Sequence, residues 1–306
     1  MRMLVVGAGS TGGYFGARLA EAGRDVTFLV RPTRAAQIAA DGLRVASPHG
    51  DITTNPKLVT ADALKVTYDA VFLTVKGYQL DQAMADIAPA IGNDTMILPV
   101  LNGMQHMERL ADRFAPRNVV GCALKVATVL EDDGRIVQLG PLQDLAYGEL
   151  DGSETLRMKA LDDFMSGANI NARRSAVIHR EMWEKWILLA AVGAMTCLMR
   201  GPIGEIEACP GGAQFNLAIL EEVIAVVRAV GVPPSEAFTA AARQQVTAKG
   251  SPFATSMYRD VLRGRPVEVE NILGDLTRRA IAAGVPTPLL NAATLHLRVY
   301  QNKISA

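Results

Sequence analysis

A chain of 306 residues, 49% hydrophobic and 20% charged, has too much apolar surface for a disordered protein and too many residues for one comfortable core. Its 31 basic residues balance 31 acidic ones, which excludes a broad electrostatic attraction to nucleic acid or to anionic membranes. Three cysteines without CxxC spacing (Cys122, Cys197 and Cys209) read as small hydrophobes in a reducing compartment, and four scattered histidines lack metal-ligand spacing.

In the first half, strand-like and helix-like segments alternate. Residues 3–6 form a short apolar strand, 11–22 have helical spacing, 26–30 form a second strand and 33–40 a second helix. Between 43 and 59, short segments broken by Pro48, Gly50 and Pro56 predict an inserted hairpin. Buried strands follow at 70–75 and 95–100, with a helix over 80–88 between them. This βαβ rhythm predicts an α/β domain on a mostly parallel sheet with helices on both faces. Residues 119–148 are strand-rich with a hairpin turn at Glu131-Asp132-Asp133-Gly134, and are expected to extend that sheet in a more antiparallel manner. A helix over 153–166 and a strand at 170–173 complete the domain, whose expected bounds are 1–175.

From 176 to 306 the pattern is helical: 179–199, 214–230, 235–248, 269–283 and 288–301, separated by Gly- and Pro-containing breaks. A second, all-α domain is expected there. Its longest apolar run, 186–199, falls short of the roughly 20 residues that span a bilayer, so a buried core helix is predicted. The opening residues are too short in apolar stretch for a signal peptide, and a cytoplasmic, soluble protein is expected. Trp183 and Trp186 are expected to anchor packing between the domains, and Glu221-Glu222 to lie on a solvated face.

Between the first strand and first helix stands Gly7-Ala8-Gly9-Ser10-Thr11-Gly12, a G-x-G-x-x-G pattern in its informative context, strand before and helix after. Gly7 permits the tight turn, Gly9 lets a pyrophosphate approach the backbone, and Gly12 lets helix and strand pack closely. The helix start offers its free N–H groups to the anion. The fold expected is therefore a Rossmann-type doubly wound sheet that binds a dinucleotide. The second strand ends Val30-Arg31-Pro32-Thr33-Arg34, with a cation where an NAD site usually has an acid. Arg31 can fork onto a 2′-phosphate, with Arg34 either supporting it or solvating the start of a surface helix, so NADP(H) is the expected cofactor.

Polar residues just past the other strands fall where a nicotinamide or its reaction partner would lie. These are Lys76 and Asn102, although a residue capping the sheet edge and a plain Asn-Gly turn explain them equally well. Lys185 stands at the brink of the apolar helix, where lost hydration favours proton donation; Glu181, four residues before it, offers an ordinary helix ion pair instead.

Taken together, these motifs resemble the ketopantoate reductase (2-dehydropantoate 2-reductase) family over essentially the whole chain. The turn through Gly16 resembles its cofactor loop, Val75-Lys76-x-x-Gln79 and Leu101-Asn102-Gly103 its next two motifs. Glu181-x-Trp183-x-Lys185, Thr255-Ser256-Met257-x-x-Asp260 and Val267-Glu268-Val269-Glu270 are similar to its three helical-domain motifs. The resemblance implies NADPH-dependent reduction of ketopantoate in pantothenate biosynthesis. It implies Lys185 as general acid, Asn102 holding the nicotinamide and the reacting carbonyl, Lys76 and Ala127 as cofactor contacts, and Ser256 binding substrate. Glu268 would close over the cofactor and tune Lys185.

Three positions depart from the family pattern. Leu189 and Gly193 stand four and eight residues after Lys185, where asparagines associated with gripping substrate are usual, and Leu273 replaces another frequent asparagine. The substrate side is thus more apolar than the family's. A related keto acid is the alternative substrate, and a nucleotide-binding sensor without catalysis is the reading from another class. The expected partner is a small keto acid, with no nucleic acid and no membrane; the apolar helices leave a homodimer open.

Overall fold

The computed structural model describes residues 1–305. The chain folds as two compact units, Met1–Leu101 with His106–His179, and Asn102–Gln105 with the chain from Arg180 onward.

The first unit contains β1 (Arg2–Val6), α1 (Ser10–Glu21), β2 (Asp25–Leu29), α2 (Pro32–Asp41), β3 (Leu43–Ala46), β4 (Ile52–Thr54), β5 (Lys57–Val59), β6 (Ala70–Leu73), α3 (Leu80–Ile87), β7 (Met96–Pro99), α4 (Gln105–Arg113, its first residue grouped with the other unit), β8 (Gly121–Leu130), β9 (Ile136–Gly148), α5 (Leu156–Met165) and β10 (Asn171–Arg174). Five strands in the order β5-β2-β1-β6-β7 form a wholly parallel sheet. β6 and β7 are buried along their full length, as unbroken apolar runs in a covered parallel sheet must be. Chain order reverses beside β1, which puts the ligand crevice of such a sheet at the carboxyl ends of β1 and β6.

Residues 119–148 do not extend that sheet. They form a second one, in which β9 pairs antiparallel with β8 on one side and parallel with β10 and β3 on the other, and β3 pairs antiparallel with β4. The expected hairpin at 43–59 is thus divided: β3 and β4 join the second sheet, whereas β5 reaches the edge of the first. A lone bridge from Ile97 to Val119 links the two strand systems.

The cause is α1. It touches β1 and β2 on one side and β3, β4, β8 and β9 on the other. Its residues 12–19 are all buried, Tyr14 and Phe15 completely. The middle of α1, apolar but for the buried Arg18, needs cover on both faces, and the second sheet supplies it, with Ser47 Oγ and the Gly50 carbonyl accepting from Arg18. Small residues make the sandwich fit, since a Cβ at Gly13 would stand 2.2 Å from Ile136 Cδ1 and one at Gly16 2.4 Å from the Phe28 ring.

The second unit is helical: α6 (Ile178–Met199, whose first two residues lie in the first unit), α7 (Ile203–Glu207), α8 (Gly212–Val230), α9 (Glu236–Val246), α10 (Ser256–Leu262), a π turn at Glu270–Gly274 leading into α11 (Asp275–Ala282), and α12 (Pro288–Ser305). α8 packs against α7, α9, α11 and α12. α6 is long and apolar enough to cross a membrane by length and composition alone, and 67% of that stretch is buried within the protein. That is the pattern of a core helix.

The tryptophans serve this unit's own core. Trp186 Nε1 donates to the Ile272 carbonyl at 3.0 Å, Trp183 lies over Gly231, and the Arg279 guanidinium stacks on both rings. Glu222 is no solvated bystander either. Its carboxylate accepts from the Leu289 and Leu290 N–H groups at 3.1 and 2.9 Å, capping α12, while Glu221 pairs with Arg243. Glu184 serves the start of α9 likewise through Ser235 N and Oγ, both at 2.8 Å.

Candidate functional site

Within the first unit the Gly7–Gly12 turn leaves β1 and enters α1 directly. Gly7 adopts φ +94°, a conformation side chains disfavour. A Cβ at Gly12 would lie 2.2 Å from Thr74 Oγ1 and 2.3 Å from the Gly7 carbonyl oxygen, whereas one at Gly9 would meet nothing within 4 Å. The turn is therefore tight beneath and open above. Thr74, just past β6, braces it by donating to the Val6 carbonyl at 2.8 Å. α1 begins at Gly9 with no side-chain cap and no acidic residue in its first turn, and Ser10 and Thr11 are half-buried there. Free N–H donors beside open space and without a carboxylate fit a pyrophosphate.

The two arginines beyond β2 differ. Arg31 is exposed at the head of α2. Arg34 is folded back onto the turn, its Nε donating to the Ala8 carbonyl at 3.1 Å and its Nη1 to Gln37 Oε1 at 2.5 Å. Burial, and next the neighbouring Arg44 cation, pull its pKa below the usual arginine value. Lys76 is half-buried at the start of a short 3-10 turn after β6, where its backbone N–H faces Gln79 Oε1 at 3.4 Å. Ala127 falls where the β8–β9 register shifts, between Val126 and Thr128.

In the helical unit, residues 166 positions apart meet: Asn102 Nδ2 donates to Glu268 Oε2 at 3.4 Å. Glu268 is buried, 5% exposed, and precedes the π turn. The Asn-Gly turn lies hard against that segment, because a Cβ on Gly103 (φ +84°) would stand 2.1 Å from the Asn271 carbonyl oxygen. Asn102 is a candidate from its place just past a strand and Glu268 from the family resemblance; the contact itself has no local signal.

Lys185, Leu189 and Gly193 succeed one another at four-residue spacing on α6, Lys185 and Leu189 half-buried and Gly193 buried. The space above Gly193 is filled by Met257, whose Cε would lie 2.7 Å from a Cβ there. Ser256 is the first residue of α10, and its neighbour Thr255 caps that helix by accepting from Tyr258 N. Leu273 is wholly buried in the π turn. Nearby on α6, burial pushes the Cys197 thiol up to about 12, which leaves it unreactive.

One contributor has no motif in the sequence: Thr74, whose place just past β6 is nonetheless a usable signal.

A doubly wound sheet with this turn at its switch point defines a dinucleotide-binding protein. A family model described as ketopantoate reductase PanE/ApbA matches residues 3–152, and one described as its C terminal matches 177–301. An oxidoreductase of Bacillus subtilis (strain 168), named YkpB and called uncharacterized, is 33% identical over 301 residues, covering 98% of this chain and 99% of its own. The structure of 2-dehydropantoate 2-reductase from Geobacter metallireducens GS-15 is similar with a TM-score of 0.87 at 26% identity, covering 98% and 99%. D-mandelate dehydrogenase with NADH and anilino(oxo)acetate shares the fold, with a TM-score of 0.88 at 22% identity and 100% of both chains covered. The chain belongs to the ketopantoate reductase family, a family of pyridine-nucleotide-dependent oxidoreductases.

Proposed function

We propose that this protein reduces a 2-keto acid to the 2-hydroxy acid with NADPH, with Lys185 as the general acid. The bound nucleotide supplies the hydride that reaches the carbonyl carbon. The Lys185 ammonium gives its proton to the carbonyl oxygen, stabilising charge as it develops, and is reprotonated from solvent. Asn102 holds the carboxamide and carbonyl region, Glu268 orients Asn102 and tunes Lys185, and Ser256 holds the substrate. Lys76 and Ala127 line the nucleotide. NADPH is preferred to NADH because Arg31 stands where a ribose-binding acid would. A cytoplasmic setting suits this cofactor.

The observation that carries the reading is the Asn102–Glu268 hydrogen bond. It joins two residues implicated in one site from opposite ends of the sequence.

Ketopantoate is the family's reference substrate. A keto acid with an apolar side chain is the second reading, favoured by Leu189 and Gly193, which offer no side-chain hydrogen-bonding group at the two positions that follow Lys185 at four-residue spacing, and by Met257 over Gly193. The D-mandelate dehydrogenase neighbour, bound to an aryl oxoacetate analogue, offers a precedent on the same fold. Loss of NADPH absorbance with ketopantoate, with 3,3-dimethyl-2-oxobutanoate (the same acid without its hydroxyl) and with benzoylformate separates the two. Higher kcat/KM for ketopantoate by tenfold or more selects the first reading; parity or reversal selects the second, because a site built to bind a hydroxyl discriminates against its absence. No reduction of any keto acid would sink the proposal.

A further inference from the structure

We infer that Arg34 is a positioning residue for the dinucleotide turn rather than a contact for the 2′-phosphate, and that the β8–β9 hairpin holds it in place through Gln37. The inference rests on the reading that the turn binds a pyridine nucleotide. Two guanidinium nitrogens of Arg34 are committed to the protein, Nε to the Ala8 carbonyl and Nη1 to Gln37 Oε1. The third, Nη2, is buried away from solvent and has no partner. A phosphate oxygen needs at least as much room as a water oxygen, so this guanidinium presents no fork for it. Arg31, exposed at the head of α2, has one to present.

The Ala8 carbonyl is an informative partner. Across a trans peptide the C=O of Ala8 and the N–H of Gly9 point in opposite directions, so anchoring the oxygen fixes the hydrogen. Gly9 is the N-cap residue of α1, and its N–H belongs to the donor set of the helix start. With glycine on each side of Ala8 the backbone has unusual freedom to turn over. No heavy atom lies within 4 Å of the Gly9 Cβ position to resist that on the open side. Arg34 supplies the restraint.

The brace has a second stage. Gln37 lies three residues along α2 from Arg34, on the same face. Its amide rests on Gly134 at the hairpin tip, where a Cβ would stand 2.2 Å from Nε2 and 2.4 Å from Cδ. Gly134 also has φ +79°, so a side chain is disfavoured there twice over. The tip is itself tied to β3 by Arg44, which donates to the Asp133 carbonyl at 2.7 Å and pairs with its carboxylate at 3.6 Å. Contacts thus run from Gly134 through Gln37 and Arg34 to Ala8. The second sheet, besides covering α1, steadies the cofactor turn of the first.

The test compares dissociation constants for NADPH and NADH, read from dinucleotide fluorescence, in the full chain and in Arg34→Ala, Gln37→Ala and Arg31→Ala. Arg34→Ala is expected to weaken both dinucleotides by a shared factor of about tenfold, with kcat at saturating NADPH within about twofold of the parent. Gln37→Ala should give a smaller loss, again shared. Arg31→Ala should weaken NADPH and spare NADH. A merely structural role for Arg34 would lower the thermal midpoint and leave the affinities of the folded protein alone, which would overturn the inference. A loss confined to NADPH in Arg34→Ala would overturn it too, by making Arg34 a phosphate contact. Should Arg34→Ala fail to fold, Gln37→Ala is judged by the same ratio. Failure of the parent chain to bind either dinucleotide would remove the cofactor reading and this inference together, whereas binding with unequal losses removes the inference alone.

Discussion

At the Gly7–Gly12 turn the protein offers backbone N–H groups and open space; along α6 it offers one lysine followed, at successive turns, by a leucine and a glycine. The first region depends on side chains that are absent, and the second on a few side-chain atoms that are present. A methyl group added to the turn and a few atoms removed from the helix should therefore do comparable harm by opposite routes. That asymmetry also explains why the turn announces itself in a sequence. Only one residue type meets its demands, whereas a half-buried lysine fits several environments.

The largest expected effect lies on the α6 side. Lys185→Ala should lower kcat by about 10²- to 10⁴-fold, the usual contribution of a positioned general acid. The NADPH dissociation constant should change by less than about threefold, since the substitution leaves the turn untouched. Single-turnover NADPH oxidation with the preferred keto acid, beside a binding titration, checks both halves. Turnover within tenfold of the parent would mean that Lys185 is not the acid, and the side-chain half of the comparison would fail.

On the turn, two alanine substitutions separate packing from ligand space. Gly12→Ala drives a Cβ into Thr74 Oγ1 and the Gly7 carbonyl oxygen. Because the obstacle is partly backbone, about 1–3 kcal/mol of stability should be lost, measured by urea unfolding, along with NADPH binding. Gly9→Ala meets no heavy atom within 4 Å and keeps an extended backbone at φ −79°. It should leave stability within about 0.5 kcal/mol of the parent and still weaken NADPH, because the methyl fills space reserved for the ligand. If Gly9→Ala bound NADPH as the parent does, that open space would not be the pyrophosphate site.

What could be read in advance follows the same physical division. β1 beyond its exposed Arg2, and β6 and β7 throughout, are buried on both faces and so stand out as unbroken apolar runs. The second sheet was hidden because its strands alternate or are short, and the antiparallel pair β8–β9 looks the same whether it extends one sheet or builds another. α4 went unread, since the Asn-Gly turn before it suggested only a loop. The π turn cannot be told from a helix by periodicity, as it interrupts the pattern by a single residue. At the site, Asn102 has a positional signal as a polar residue just past β7, whereas Glu268 is visible only through family resemblance, and a hydrogen bond across 166 positions leaves no local trace. The Arg34 contact is silent for a related reason: its partner, a backbone carbonyl, has no letter in the sequence.

Sensitivity of cofactor binding to substitution should belong to the turn and its braces and not to the whole unit, and the smallest expected effect examines this. Far along the same chain, Glu149 is almost fully buried and accepts from Arg157 Nε and Nη2 at 2.6 and 2.5 Å and from Thr155 Oγ1 at 2.6 Å. Arg157 also donates to the Arg117 carbonyl. The Arg157 hydrogen bonds hold the Glu149 carboxyl below its usual value of 4.5, against the opposing effect of burial. A carboxyl whose folded pKa is depressed binds protons more readily when unfolded, so its contribution is complete above about pH 4.5 and is lost as pH falls through the folded value. Glu149→Gln should cost about 1–2 kcal/mol at neutral pH, discounted because Arg157 is 31% exposed. The gap between parent and variant should be flat from about pH 5 to 8 and should close on acidification. Urea titrations across that range decide it, and a gap that widened below pH 4.5 would mean that the carboxylate is not what Arg157 stabilises. NADPH affinity should be unchanged in the variant, which would confine the turn's sensitivity to the six residues from Gly7 to Gly12 and the groups that brace them.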